Sequence, residues 1–136
     1  MSMVHDNTIK AYCVDFEAET LTLKTQYQSR TSGIIENTDV IFKDYLAHDF
    51  EYVQKGNMIF DIEEYPLSMF FERERDILEK GKSFCWPVYY KTEKELFDFF
   101  QANNYKIFEI SSSYGLSGFV FAKHMDIIVN GQLFKQ

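Results

Sequence analysis

The chain is poor in the residues that staple or punctuate small folds: it has two cysteines, two prolines and six glycines in 136 residues. Cys13 and Cys85 form no CxxC pair, which excludes a zinc knuckle and a dithiol redox motif. Each lies in apolar surroundings, AYCVDF and SFCWPV, so the expectation is two reduced thiols packed as small core residues. The three histidines, His5, His48 and His124, show neither HxH nor HxxxH spacing, so a zinc site would need ligands from distant segments. No apolar run approaches the roughly 18 residues of a membrane-spanning helix. The opening MSMVHDNTIK lacks the apolar stretch of a signal peptide. Basic residues are also scarce, 14 Lys and Arg against 21 Asp and Glu for a net charge of −7. Nucleic acid and anionic membrane both need a basic footprint, so neither is an expected partner. The expectation is a soluble cytoplasmic protein.

Apolar and aromatic residues are abundant, at 46% and 18% of the chain, with 14 Phe and 9 Tyr. That composition argues against disorder, and the length fits one domain over residues 1–136.

Residues 8–16, TIKAYCVDF, read as an apolar strand. Residues 20–27 alternate, with Leu21, Leu23, Thr25 and Tyr27 on one face and Thr20, Thr22, Lys24 and Gln26 on the other. Period-two alternation marks a strand with one wet face, and the pair reads as a hairpin. QSRTSGIIENT at 28–38 reads as a loop or irregular edge. TDVIFKD is a short strand. Residues 45–53, YLAHDFEYV, fit either periodicity and are read as a strand because aromatics are dense and no cap precedes them. NMIFDIEE is a strand with Met58, Phe60 and Ile62 on one side. After Pro66, the spacing of Leu67, Phe70, Phe71, Glu74, Ile77 and Leu78 predicts a helix in which only Glu74 breaks the apolar set, with Gly81 placed to stop it. FCWPVYY at 84–90 reads as a strand or extended segment. Thr92 and Glu95 have capping-box spacing and open a second helix over EKELFDFFQAN. YKIFEIS is a strand, SSSYGLSG a turn in which Gly115 and Gly118 need positive φ, and FVFAKHMDIIV one bent strand or two short ones. The tail NGQLFKQ is read as frayed. Seven to nine strands with two late helices give an α+β fold on a mainly antiparallel sheet.

The charge is not spread evenly. Residues 36–64 carry eight acids against Lys43 and Lys55, −6 of the chain's −7. The acids belong to strands that also supply core residues. Burying an unpaired carboxylate costs several kcal/mol, so the acids must face water while Phe42, Phe60 and Ile62 face inward. Asp39, Asp49, Glu51, Asp61, Glu63 and Glu64 are therefore expected to share one exposed region, with Tyr45 and Tyr52 as aromatic anchors for a basic protein partner.

No catalytic motif accompanies this patch. Ser117 has Gly115 before it but Phe119 after it, so G-x-S-x-G fails. Neither S-x-x-K nor a dinucleotide or phosphate loop occurs, and no cofactor or metal site is expected. Cys85 lacks a basic neighbour that would activate its thiol. His48 beside Asp49 and Glu51 is the one cluster from which a hydrolase-type acid–base or metal pocket could be built. Strand alternation puts His48 on the opposite face from both acids, which counts against one shared site.

The runs FKDYLAHDFE, NMIFDIEE and the later ISSSYGLSGFV resemble small uncharacterised proteins of Gram-positive bacteria, some of them immunity proteins of contact-dependent or polymorphic toxin systems. The resemblance implies a bacterial, cytoplasmic, single-domain binder that neutralises a toxin, as a monomer or weak homodimer. It carries over no catalytic residue. A different class remains open: a small-ligand-binding domain whose sheet curls around the Phe97–Phe100 helix and leaves an apolar pocket.

Overall fold

The computed structural model of the chain describes residues 4–134. Its strands are β1 (Thr8–Asp15), β2 (Thr20–Gln28), β3 (Ile35–Lys43), β4 (Ala47–Glu51), β5 (Met58–Tyr65), β6 (Lys106–Tyr114), β7 (Ser117–Ala122), β8 (His124–Val129) and β9 (Gln132–Phe134). Three helices, α1 (Leu67–Arg73), α2 (Arg75–Lys82) and α3 (Glu93–Ala102), lie between β5 and β6. The strands form one sheet of order β4-β7-β6-β5-β1-β2-β3-β8-β9, every pair antiparallel. The fold is the expected α+β class on an antiparallel sheet, with one helix more than the two anticipated. Among the described residues no helix is long and apolar enough to cross a membrane.

The alternation of β2 explains the first half of the sheet. Leu21 and Leu23 are fully buried and stand opposite Phe42 and Val40 of β3, while Lys24 faces water. On the other half, Ile62 of β5 faces Ile110 of β6, and Phe108 faces Val120 of β7. The sheet curls until these inner faces meet, with the Phe42 and Phe108 rings 5.4 Å apart. Only Lys123 separates β7 from β8, and its amide donates to the Lys43 carbonyl at 3.0 Å.

The helices cover only the β4-β7-β6-β5 half. Phe70, Phe71, Leu78, Leu96 and Phe100 pack on Ala47, Ile107, Phe119 and Phe121. Phe70 meets Phe119 and Phe121 edge-on at 5.1 and 5.3 Å. Each such pair adds about 0.5–1.5 kcal/mol to the area it buries. Phe100 is fully buried between Phe71 and Phe121.

Several local expectations are corrected. The first helix is two: Glu74, at φ −113 and ψ 31, interrupts it. An unbroken helix would carry the Glu74 carboxylate along the apolar stripe into the core, whereas the break leaves it half-exposed. Gly81 does not stop α2; a side chain there would meet the Trp86 ring at 2.6 Å. Residues 84–90 form no strand, because Trp86 packs on Phe121 and the Tyr90 hydroxyl donates to the Leu78 carbonyl at 3.3 Å. The α3 cap is half a capping box: Thr92 Oγ1 accepts from the Glu95 amide, but Glu95 accepts from the Lys91 amide rather than reaching Thr92.

In β5 a bulge between Met58 and Asp61 sends Ile59 and Ile62 inward and leaves Phe60 54% exposed, contrary to its expected inward face. A second register shift, between Ile9 and Ala11, changes the phase of β1. Ile9 and Val14 join the core and Cys13 turns outward. Both cysteines are free as expected but exposed rather than buried. Residues 35–38, read as loop, belong to β3, and β6 runs on through the serines to Tyr114. The tail is not frayed through Phe134: Asn130 and Gly131, both at positive φ, turn the chain so that β9 pairs with β8. Residues 1–3 of the opening stretch and the last two residues of the tail lie outside the described residues.

Candidate functional site

Beyond the ends of α1 and α2, the helix-bearing face of the sheet is left uncovered and is lined by acids. The pairing register builds it. Glu63 of β5 stands opposite Glu109 of β6, Glu109 opposite Phe119 of β7, and Phe119 opposite Asp49 of β4. One row across four strands therefore presents three carboxylates on the same face. A neighbouring row adds Asp61, opposite Ser111, and Glu51, opposite Ser117. Glu74 leans over these rows from the break between α1 and α2, close enough that its charge acts on Glu109.

The crowding shows in the proton affinities. Burial, then the charges of Glu74 and Glu63, push the Glu109 carboxyl up from its ordinary value. Burial, then Glu51, push Asp49 up, while Lys80 and His48 pull it the other way. Glu63 is raised chiefly by a hydrogen bond with Asp61 and then by its charge. Like charges held together in a partly dry site favour the neutral acid.

Two cavities flank this row. One of about 350 Å³ is lined by Asp49, Glu51, Glu74 and Glu109, with Tyr52 and the serines 111, 112 and 117. The other, about 320 Å³, is lined by Ile77, Gly81, Phe84 and Trp86, with His48, Asp49 and Lys80. Asp49 and Ile77 belong to both walls. Gly118 is what lets β4 lie close on β7 here: it stands opposite Phe50 at φ +151, and a Cβ on it would fall 1.9 Å from the Asp49 carbonyl oxygen.

Of the eight residues singled out for a partner, Asp49, Glu51, Asp61 and Glu63 share this face, and Tyr52 stands at the cavity wall, 76% exposed. The other three lie elsewhere. Asp39 is on the helix-free half of the sheet, 3.9 Å from the Lys24 ammonium. Glu64 follows the Ile62 face by alternation. Tyr45 is half-buried, with its hydroxyl 2.7 Å from His48 Nδ1 and its ring against Phe16. Burial raises its pKa.

His48 also packs against Tyr12 and Phe50, and burial lowers its pKa despite the Asp49 charge. Its Nδ1 is engaged by the Tyr45 hydroxyl rather than by a carboxylate. Among the described residues no group of three or more His, Cys, Asp or Glu is placed to hold a metal ion. The Ser112 hydroxyl donates to the Leu116 carbonyl and closes the β6–β7 hairpin.

Glu109, Glu74 and the Phe84–Trp86 wall were not anticipated. Glu74 carried a signal, as the one charge on an apolar helical stripe. Glu109 carried a fainter one, a lone acid on a strand otherwise core-like from Ile107 to Ile110. Compared with family models, curated proteins and solved structures, the chain matches none.

Proposed function

We propose that the chain is an acidic protein-binding domain that takes up a basic protein partner, in the manner of a bacterial cytoplasmic immunity protein neutralising a basic toxin domain. The observation that carries this reading is the gathering of Asp49, Glu51, Asp61 and Glu63 with Glu74 and Glu109 on one uncovered face, with Lys80 and His48 the bases whose charges act on Asp49. Such a face raises the association rate with a cationic protein by roughly 10- to 1000-fold at low salt. The aromatic and apolar residues beside it supply the short-range contacts that hold a complex once formed. The resemblance of residues 42–51, 57–64 and 110–120 to small uncharacterised Gram-positive proteins, some of them immunity proteins, is in keeping with the same reading.

The test is triple charge reversal, Asp49→Lys, Glu51→Lys and Glu63→Lys, with association to a panel of small basic proteins measured at two salt concentrations. The parent should associate faster at low salt and the variant should lose that dependence. Equal rates and equal salt slopes would make the face a solvated surface and end this reading.

One observation favours a small-ligand alternative, the apolar cavity at Phe84 and Trp86, whose volume of about 320 Å³ lies at the lower end of small-molecule sites. Thermal-shift screening with apolar compounds separates the two: stabilisation abolished by Phe84→Ser supports a ligand pocket, and the absence of any stabilising compound rejects it.

A further inference from the structure

The two cavities have opposite chemistry and a common wall. The larger is dominated by Asp49, Glu51, Glu74 and Glu109. The smaller is walled by Ile77, Phe84 and Trp86, and Phe84 is 83% exposed. Because Asp49 and Ile77 line both, the two cavities adjoin.

Their placement along β4 sets the two cavities side by side. The acidic cavity uses Asp49 and Glu51 of this strand, and the apolar one uses His48 and Asp49. The two cavities therefore meet at Asp49, and neighbouring same-face side chains of an extended segment, about 7 Å apart, can enter one each. β4 is also the terminal strand of the sheet, the position at which an extended segment can lie alongside a strand. Both cavities are open clefts rather than closed chambers, which suits a chain segment better than an engulfed small molecule. A phosphate-bearing partner would be repelled by the carboxylates. A cation would relieve the mutual repulsion that burial and neighbouring acids impose on Glu109 and Asp49.

Resting on the basic-partner reading above, we infer that the α2–β4 cleft binds an exposed, extended segment of that partner, with an Arg or Lys in the acidic cavity and a Leu or aromatic residue two positions away in the Phe84–Trp86 cavity. The cation supplies encounter and charge-assisted hydrogen bonds, and the apolar residue supplies desolvated contact. Neither half alone binds comparably.

The test uses fluorescence anisotropy with three labelled octapeptides: one repeating Arg-Ser-Leu, one with the leucines replaced by Ser, and one with the arginines replaced by Gln. The mixed peptide should bind about tenfold more tightly than either single-character peptide. Glu51→Gln with Glu74→Gln should weaken the mixed and Arg-only peptides and spare the Leu-only one. Phe84→Ser should weaken the mixed and Leu-only peptides and spare the Arg-only one. Both variants alter exposed or half-exposed side chains, and an unchanged melting temperature checks that they fold. If the Arg-only peptide binds as well as the mixed one and Phe84→Ser changes nothing, the two-part cleft is refuted while the acidic-face reading stands. Peptide binding unaffected by either variant, or no peptide binding at all, also refutes the cleft. Equal association rates and equal salt slopes for the parent and the charge-reversed variant with basic proteins, measured separately, are what would remove the broader reading.

Discussion

Gly118→Ala is the substitution that most sharply tests how β4 is held. A Cβ at this position would lie 1.9 Å from the Asp49 carbonyl oxygen, 2.9 Å from its carbon and 3.0 Å from Phe50 Cα. All three are backbone atoms of the partner strand, so no flexible side chain can swing away. Ordinary contact requires β4 to retreat by more than about 1 Å, enough to stretch its hydrogen bonds to β7 beyond useful length. The φ of +151 adds strain of about 1–3 kcal/mol for any L side chain, and the overlap adds about 1–3 kcal/mol more. With a urea m-value of about 1.5 kcal/mol/M for a chain of this size, a loss near 3 kcal/mol lowers the unfolding midpoint by about 2 M. Trp86 fluorescence in a urea titration reads it. Gly33→Ala is the control: its φ is also positive, at +69, but nothing lies within 4 Å, so only the left-handed cost of about 1–2 kcal/mol remains. If the two variants unfold at the same midpoint, the close approach of β4 to β7 at Gly118 is not the constraint described.

Other outcomes follow from the same geometry. Phe100→Ala removes a fully buried ring shared by Phe71 and Phe121 and should cost about 3–5 kcal/mol in the same titration; a loss below 1 kcal/mol, by that scale, would mean the helix layer is loosely packed. Cys13 and Cys85 are free and exposed, so both thiols should react with a thiol reagent in the folded protein, and reductant should leave the melting temperature unchanged. Two thiols protected until unfolding would contradict this. Glu109 gives a pH dependence. Its folded carboxyl holds a proton above the ordinary 4.5, so the folded state binds protons more tightly than the unfolded one. Stability is therefore lost as pH rises from that ordinary value through the raised one, and regained on acidification across the same window. His48, lowered by burial, acts in the opposite sense below neutrality. Glu109→Gln should raise the melting temperature near neutral pH and remove part of the acid-side gain; a variant no more stable than the parent at neutral pH refutes the crowding.

Legibility in the sequence followed the range of the interactions. The Leu21 and Leu23 alternation, the Thr92 cap and the hairpins are local, and the residues that make them are near neighbours in the chain. The grouping of Asp49 and Glu51 with Asp61 and Glu63 was also legible, because alternation plus the cost of burying carboxylates leaves few other arrangements. The phase of β1 and β5 was not legible. A bulge inserts one residue without a strong sequence mark; the slip in β5 exposes Phe60 and the separate slip in β1 turns Cys13 outward. The cost of burying a carboxylate puts Asp39 and Glu64 in water but does not say where, and the strand order places Asp39 on the other half of the sheet while alternation turns Glu64 to the other face. Glu109 joins the site only through a pairing of β5 with β6 that spans the whole helical segment.

The junction at Lys123 acts on the molecule as a mechanical tether. β7 and β8 occupy the second and eighth places among nine strands. In a flat sheet six spacings of about 4.8 Å would hold them roughly 29 Å apart, yet one intervening residue lets their ends separate by no more than about 7 Å. The curl is therefore not a shape the sheet can relax out of while its pairings persist; flattening requires one of the six pairings from β7 round to β8 to part, and the thinnest is β1 on β5, joined at Thr8 and Met58. The inner faces around Phe42 and Phe108 are kept together by chain connectivity as well as by packing. A flexible insertion after Lys123 would slacken that tether without touching a single core side chain, converting a bound arch into one that is free to open.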